Sequence, residues 1–571
     1  MSGTPLQRVG LALAVVVTLG TRLTLALSDP RALIAADVFQ DDAFYYLTIA
    51  RNLIQGAGLT FDQQIPTNAF HPVYLAMLLP VQWLSGPDVW SPIRAAALLL
   101  TGVATATTPL LFALTRRLAG ASAAVFVAMA FAFSPQMTTL GVNGLETGPA
   151  FFMGLLLAWL YVRWFFPRPI PNARRAVVFG AVGGLAVLTR VDLALWLGAL
   201  GIDWLRRVRP IAWTNRSQRR TLLLVVSGTA LVWLPWAFTS GWLTGAVLPT
   251  SGAASREIAH NLGWGNLAAS FGGASGVAFD PRFIPWTWRA DVAAKAVYIW
   301  LFEQPLLFPL RYGVDYGVWP ALSGYAPYRV FLYSPWLGLA TLAAAATACR
   351  AGFRRAAGPT RDGSSLAFPI TLYCVALFTG YVFLAPSHWY FSRYLAFSVW
   401  LVTVGALAPI TRASQRHATR LPARFAIATG AILLVMVQAS QLADFRMRPV
   451  WGRPQGRGFL TSWEAMQDQI PSGARIGAFQ AGIYGWFSDT PVRNLDGKVN
   501  RDAQRALANQ QLHEYILASD VDYILDQPRM TRALLLRHSA VETRARFIPV
   551  ASERRRQGAT LYRIERGPSP P

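Results

Sequence analysis

Long apolar runs alternate along the chain with short polar segments that carry arginines. A helix needs about 20 apolar residues to cross a bilayer, with about 17 as the lower limit. The run at 71–84 predicts a helix along the outer membrane surface, because counting it as a span would invert every later loop. The remaining runs predict eleven membrane-spanning helices, at residues 9–27, 93–115, 119–135, 147–165, 176–189, 191–205, 221–241, 329–349, 367–385, 394–411 and 425–443.

Composition supports a membrane protein. Of 571 residues, 53% are hydrophobic and only 14% are charged, whereas soluble domains have about 25% charged residues. The net charge of +24 does not indicate nucleic-acid binding, because the arginines gather between apolar runs rather than along one face. Cys349 and Cys374 lie in or beside apolar runs, so no disulfide framework is expected.

The arginine clusters set the predicted orientation. Cytoplasmic loops carry an excess of Lys and Arg, and five short loops fit this rule, at residues 116–117, 168–175, 206–220, 350–361 and 412–424. The chain is therefore predicted to begin in the cytoplasm and to end outside. Three large segments then lie outside the membrane: 28–92, 242–328 and the tail, residues 444–571.

The tail is predicted to be a separate domain that follows a transmembrane domain of residues 1–443. It is far more polar, with 19 Lys or Arg and 13 Asp or Glu residues. The short β-like runs ARIGAF, DYILD and TLYRIE alternate with the helical run DAQRALANQQLHEYILAS. This pattern predicts a small α/β domain.

The first external segment carries the most informative candidates. Asp41 and Asp42 open a helical stretch, next to aromatic residues such as Tyr45 that favour a membrane interface. One interpretation is that an Asp caps the helix while its neighbour is solvated. The other, which we favour, is that a carboxylate held at this boundary takes a proton from a substrate hydroxyl.

Four further candidates lie at predicted outer boundaries. Glu146, in NGLETG, either favours a helix N-terminus by its charge or belongs to a site. Arg190 and Asp192, in LTRVD, form either an interfacial ion pair or part of that site. His71, before Pro72, either packs against its surroundings or binds substrate.

Two later motifs add cations. HWYFSRY holds His388 and Arg393, and an aromatic belt would explain its aromatic residues but not Arg393, which can pair with a phosphate. LPTSGAASR places Arg256 after small and hydroxyl residues, a weak signal by itself. RNLDGKVN is predicted to be a turn. The sequence contains no P-loop, dinucleotide fingerprint, HExxH or CxxC motif, so neither a metal nor a cofactor is expected.

Several motifs in chain order resemble one known family: DDAFYYLTIARNL, GLTFD, PTNAFHPVY, NGLETG, TRVD, LPTSG, WYFSRY and NLDGKVN. Together they resemble bacterial GT-C glycosyltransferases, the group that includes arabinosyl-, mannosyl- and aminoarabinose-transferring enzymes. The resemblance spans most of the chain and is most specific in the first external loop and the NLDG string.

The resemblance implies a GT-C-like, α-helical polytopic membrane protein in the bacterial inner membrane, with about 11 transmembrane helices and a C-terminal extracytoplasmic α/β domain. It implies a polyprenyl-phosphate-linked sugar donor, a glycan, lipid or protein acceptor, and inversion at the anomeric carbon. The family's catalytic acid corresponds to Asp41, with Asp42 second. Many relatives have Asp-Glu here, so the division of roles stays open. Relatives often have Lys near Arg256.

Two other function classes stay open. A transporter or flippase of lipid-linked saccharides would place ionisable groups in mid-span and show inverted halves. A non-enzymatic scaffold for envelope assembly would bind glycan through its tail. The predicted outer-boundary position of the charged motifs favours the transferase.

Overall fold

A computed structural model describes residues 4–208, 215–270, 286–302, 366–385, 391–417, 436, 458–535, 545–553 and 558–566. The helices before the tail are α1 (Pro5–Ala26), α2 (Pro30–Ala35), α3 (Asp41–Ile54), α4 (Pro72–Ser85), α5 (Ser91–Ala119), α6 (Ala121–Phe133), α7 (Pro135–Leu140), α8 (Thr147–Trp164), α9 (Ala173–Thr189), α10 (Leu193–Arg207), α11 (Arg216–Thr244), α12 (Thr250–Ser270), α13 (Trp286–Phe302), α14 (Ala367–Thr379) and α15 (Phe391–His417). A short π-helix, Gly380–Leu384, extends α14.

Among these described residues, four segments are long and apolar enough to cross a membrane: α1, α5, α11 and α14 with its π-helical extension. The count of eleven spans is therefore not confirmed. The predicted runs at 329–349 and, except for residue 436, at 425–443 lie outside the described residues. The run at 119–135 forms only the 13-residue α6. Gly120, at φ 89°, separates α5 from α6, and Pro135 begins the next helix.

The described tail forms a five-stranded sheet with helices around it. Its strands are β1 (Ile476–Ala478), β2 (Arg493–Asn494), β3 (Tyr523–Asp526), β4 (Ala545–Ser552) and β5 (Thr560–Arg566), in the order β2-β1-β3-β5-β4. β1 pairs in parallel with β2 and β3, whereas β5 pairs antiparallel with β3 and β4. The helices are α16 (Phe459–Met466), α17 (Gly482–Phe487), α18 (Arg501–Ala508), α19 (Leu512–Ala518) and α20 (Pro528–Leu534), with a 3₁₀ turn at Gln467–Gln469.

The predicted α/β tail is thus observed, with two differences in detail. The helical run divides into α18 and α19 because Gln510 adopts φ 60° and ends the first helix. β4 was not predicted: it contains Pro549, which an edge strand tolerates.

The tail packs directly on the first external segment. α17 lies against α3, and Phe44 of α3 contacts the rings of Trp486 and Phe487, with centroids 6.3 and 5.9 Å away. Buried residues of both segments belong to one hydrophobic cluster. The fold therefore brings residues about 440 positions apart in sequence to the start of α3.

Candidate active site

The first turn of α3 sends its two carboxylates to different partners. Asp41, 5% exposed, accepts a hydrogen bond from the backbone N–H of Ile483 at 2.8 Å. A Cβ atom built on Gly482 would lie only 2.2 Å from the backbone oxygen of Asp41, so the two chains meet too closely for a larger residue. Asp41 therefore anchors the tail to α3.

Asp42 instead joins two cations. Its Oδ2 accepts a hydrogen bond from Arg393 Nη2 at 2.7 Å, and its Oδ1 lies 3.4 Å from Lys498 Nζ. Arg393 also donates to Gln40 Oε1 at 3.1 Å. The side chains of Asp42, Arg393 and Lys498, which we name the charged cluster, are 15%, 8% and 22% exposed.

Lys498 reaches the cluster through the turn that follows β2. Asp496 Oδ1 accepts hydrogen bonds from the Lys498 backbone and from Asn494 Nδ2, both at 2.9 Å. Burial raises the pKa of Asp496, although the Lys498 charge opposes this effect. The NLDGKVN turn thus has a defined task, namely to hold a lysine against Asp42. Sequence reasoning assigned this lysine no role.

Arg190 and Asp192 hold Arg393 in place. Arg190 bonds both oxygens of Asp192, at 3.0 and 2.7 Å, and its Nη1 donates to the backbone oxygen of Arg393 at 3.4 Å. The guanidinium groups of Arg190 and Arg393 each lie 5.0 Å from the ring centre of Tyr394. This pair was predicted as either an interfacial ion pair or part of the site, and its contacts place it against Arg393.

Glu146, Tyr46 and His71 form a hydrogen-bonded chain. The Tyr46 hydroxyl lies 3.1 Å from Glu146 Oε2 and 2.5 Å from His71 Nδ1. Burial, followed by the Glu146 charge, raises the pKa of Tyr46 well above its ordinary value, so the phenol keeps its proton. Burial opposes ionisation of Glu146, but the nearby His71, Arg393 and Arg190 together lower its pKa.

The direction of this chain follows from its proton inventory. An ionised Glu146 only accepts hydrogen bonds, so the Tyr46 proton goes to Glu146. His71 Nδ1–H must then donate to the Tyr46 oxygen. Burial also lowers the pKa of His71, and the neutral ring carries one proton. Nε2 of His71 is therefore an acceptor.

Tyr45 faces the tail. Its hydroxyl accepts a hydrogen bond from the Ala481 backbone at 3.0 Å and lies 3.5 Å from Asn494 Nδ2. Because it is 5% exposed, it belongs with Asp41 to the docking contacts. We name Asp41, Tyr45 and the loop of residues 479–483 the docking seam.

Two predicted residues do not join these contacts. Arg256 is exposed on α12, and its charge lowers the pKa of Arg289 on α13 after the larger effect of burial. α12 does begin near the cluster, because Thr250 Oγ1 donates to the Lys498 backbone oxygen at 3.4 Å. His388 lies outside the described residues.

A narrow crevice lies beside Arg393, between the cluster and the apolar helices. Residues of α8, α10, α14 and α15 line it, including Thr147, Phe151 and Tyr373 together with Arg190 and Arg393. In the part of the chain that the structure describes, no three His, Cys, Asp or Glu side chains are placed to hold a metal ion.

Residues 451–563 match the model of a family described as a domain of unknown function (DUF8728). This match covers the described sheet of the tail almost completely. No curated protein matches the chain.

Solved structures of two proteins are similar in arrangement. The oligosaccharyltransferase of Archaeoglobus fulgidus, in complex with Zn and sulfate, is 14% identical with a TM-score of 0.49, over 97% of this chain and 73% of that one. ArnT from Cupriavidus metallidurans, bound to undecaprenyl phosphate, is 14% identical with a TM-score of 0.49, over 98% of both chains. Both belong to the GT-C group that the sequence motifs resemble. At this identity and TM-score, the likenesses assign no activity to this chain.

Proposed function

We propose that this chain is a membrane glycosyltransferase that uses a polyprenyl-phosphate-linked sugar as donor. It transfers the sugar to a glycan, lipid or protein acceptor on the extracytoplasmic face of the bacterial inner membrane. The observation that carries this proposal is the charged cluster, in which one carboxylate lies between a guanidinium and an ammonium group. A carboxylate beside two cations suits a reaction in which the carboxylate takes a proton from the acceptor and the cations stabilise the departing phosphate.

The cations have the chemistry needed for the departing group. When the bond between the anomeric carbon and the phosphate oxygen breaks, charge develops on the polyprenyl phosphate. Arg393 and Lys498 lie where they can stabilise that charge by hydrogen bonds in a mostly buried setting. The crevice beside Arg393 lies on the side of the cluster that faces the apolar helices, where the lipid part of the donor would lie.

Asp42 is the base in this proposal. A phosphate that binds Arg393 and Lys498 competes with Asp42 for both partners, which releases its carboxylate to accept the acceptor's hydroxyl proton. The acceptor oxygen then attacks the anomeric carbon from the face opposite the phosphate, and the configuration inverts. The docking contact of Asp41 with Ile483 makes Asp41 the less suitable base, although the family resemblance places the catalytic acid there.

The other predicted residues take supporting roles. The Nε2 acceptor of His71 fits a second hydroxyl of the acceptor sugar or side chain. Arg190 and Asp192 keep Arg393 aligned through its backbone. Arg256 stays a candidate for the outer part of the donor, since α12 starts beside Lys498.

Donor turnover by the full chain in lipid nanodiscs tests the proposal. We would supply polyprenyl-phospho-mannose, -arabinofuranose, -glucose and -aminoarabinose with bacterial envelope extract, and measure release of polyprenyl phosphate by mass spectrometry. Release from at least one donor by wild type, lost in Asp42→Asn but kept in the exposed control Asp468→Asn, is expected. Donor movement across liposomes without release would favour the flippase, and equal release by wild type and Asp42→Asn would remove the proposed base.

A further inference from the structure

A second polar cleft lies further along α3, on the side away from the charged cluster. Its cavity volume is about 290 Å³. Its walls come from the end of α3, the turn after α4, and the tail loop that follows α17. Arg51 in its wall is ten residues after Asp41, which corresponds to about 15 Å along the helix.

The docked tail forms this cleft. Trp486 Nε1 donates to the Val89 backbone oxygen at 3.0 Å, which ties α17 to the turn before α5. The rings of Trp90 and Phe487 pack with centroids 4.9 Å apart. These two contacts join the tail to the turn before α5 and so form one wall of the cleft.

Uncharged hydrogen-bonding side chains outnumber charged ones in the lining. Six of its sixteen residues carry amide or hydroxyl groups: Asn52, Gln55, Gln63, Gln82, Ser488 and Thr490. Such groups both donate and accept hydrogen bonds, as a sugar hydroxyl does. Their chemistry therefore matches a polyhydroxylated ligand better than an apolar one.

Two buried amide oxygens in this lining require donors. Asn52 is 1% exposed and uses its Nδ2 group to bond the backbone oxygens of Thr60 and Phe61. Its Oδ1 atom has no hydrogen-bond partner among the described residues, nor does Oε1 of Gln82, which is 7% exposed. A buried acceptor without a donor costs about 1–3 kcal/mol, so a ligand hydroxyl that reached either oxygen would recover part of that cost.

The charges in the lining disfavour an anionic ligand. Arg51 commits both terminal nitrogens to backbone oxygens, those of Trp486 and Gly485, at 3.0 Å each. Asp88 and Asp489 add two carboxylates. A phosphate or an acidic sugar would meet net repulsion in this cleft, in contrast to the charged cluster.

We infer that this cleft binds a neutral saccharide, and that the saccharide is the distal part of the acceptor. The second half of this inference rests on the proposed function. The arrangement assigns the two ends of one acceptor to two places: a hydroxyl at Asp42 and a chain of sugars along α3 in the cleft. The acceptor class is then a glycan, or a lipid or protein that already carries one.

Saturation-transfer NMR on the full chain in nanodiscs tests saccharide binding without any donor. The probes are neutral hexasaccharides of glucose, mannose, galactose and arabinose, with an alginate hexasaccharide as the anionic probe. We expect at least one neutral probe to bind and the anionic probe not to bind. Binding of the anionic probe alone, or of no probe, would overturn the inference.

Variants at the exposed rim locate the binding site. The double variant Gln55→Ala/Asp489→Ala should weaken neutral-probe binding about tenfold, which corresponds to one or two lost hydrogen bonds. The matched control Gln467→Ala/Asp468→Ala removes an exposed Gln and Asp of the tail outside the lining and should bind like wild type. Unchanged binding by the rim variant would show that the saccharide sits elsewhere.

A third variant separates this inference from the proposed function. Asp42→Asn should keep probe binding at the cleft, whatever it does to turnover. If wild type binds the probe but does not turn over any donor, the transferase proposal is contradicted and saccharide binding at the cleft is kept. If wild type turns over a donor but binds no probe at the cleft, the cleft inference is contradicted and the transferase proposal is kept.

Discussion

The docking seam and the charged cluster begin on consecutive residues yet differ in almost every property. At the seam, Asp41 and Tyr45 are buried against backbone N–H groups of the tail. In the cluster, Asp42 keeps partial exposure and pairs with the side-chain charges of Arg393 and Lys498. Successive residues on a helix point about 100° apart, so Asp41 can contact the tail while Asp42 contacts Arg393 and Lys498.

The difference shows how a fixed contact supports an exchangeable one. Backbone N–H groups cannot be displaced by a substrate without moving the tail, which makes the seam a structural joint. Ion pairs with side chains can be exchanged for a phosphate of similar charge. The seam therefore sets the position of Lys498, while the cluster is free to change partners during a reaction.

Substitution of Gly482 should have the largest effect, because it attacks the seam and through it the cluster. A Cβ atom would lie 2.2 Å from the Asp41 backbone oxygen and 2.8 Å from its Oδ1. Overpacking of this kind typically costs about 1–3 kcal/mol, and we expect Gly482→Val to undock the tail and abolish donor turnover. Limited proteolysis should then release the tail. Gly473→Val is the control: it also adds a side chain at a tail glycine, but the Cβ position there has open space around it. Because Gly473 has a positive φ, this control should cause only local strain. Full turnover in Gly482→Val would show that the charged cluster does not depend on the docking seam.

Removal of the lysine charge should have the second-largest effect, confined to the cluster. Lys498→Met keeps the length of the side chain but loses the ammonium group that lies 3.4 Å from Asp42. We expect donor turnover to fall about 10- to 100-fold, in the range of one lost charged hydrogen bond, with unchanged resistance to proteolysis. The chain offers a matched control, since Lys295 on α13 is the only other lysine. A Lys295→Met variant that loses as much turnover would contradict a specific role for Lys498.

Part of this comparison was predictable from sequence. Glu146, Arg190 and Arg393 each lie at a predicted outer boundary, and the structure places all three near the start of α3. The pattern indicated which ends of the helices to compare, but not which helices would be neighbours. Lysine is rare in this arginine-rich chain, in which Lys295 and Lys498 are the two lysines. That rarity was a signal that could have drawn attention to Lys498.

The rest depended on tertiary structure. The tail covers the face of α3 that carries Asp41, which leaves Asp42 as the proposed base. The helix that covers this face, α17, lies about 440 residues away in sequence. No local pattern encodes that choice. The division of the tail helix at Gln510 was equally hidden, since neither Gly nor Pro marks it.

Breaking the Tyr46 chain should have a smaller effect than either change above. Tyr46→Phe removes the hydroxyl that joins Glu146 to His71 but keeps the ring packed against Tyr74 at 5.0 Å. Without it His71 loses its fixed tautomer, so we expect turnover to fall about 3- to 10-fold, mainly through KM for the acceptor. Kinetics with the acceptor varied at saturating donor would measure this. If only the affinity for the donor fell, Tyr46, Glu146 and His71 would act on the donor rather than on the acceptor.

The smallest effect on turnover is expected at Asp526, which supports the seam from behind. Its Oδ2 accepts hydrogen bonds from the backbone N–H groups of Phe479 and Gln480, both at 2.8 Å. Burial, with a lesser contribution from Asp41, raises the pKa of Asp526 to about 7, from 3.8. The folded tail therefore holds this proton more tightly than the unfolded chain. The stability it contributes is complete below pH 3.8 and is lost as pH rises through about 7.

Asp526→Asn should remove that dependence, because an amide does not titrate. Its one oxygen can accept the bonds from Phe479 and Gln480, whereas the bond from the Gln527 backbone N–H to the other carboxyl oxygen is lost at every pH. We expect the melting temperature of wild type, relative to Asp526→Asn, to fall between pH 5 and 8, with turnover at pH 6 within about twofold. The exposed Asp468→Asn should follow wild type at every pH. If wild type instead gained stability relative to Asp526→Asn over this range, the buried carboxyl would be ionised in the folded tail. The seam would then be held by charge, like the cluster, and the contrast between the two regions would disappear.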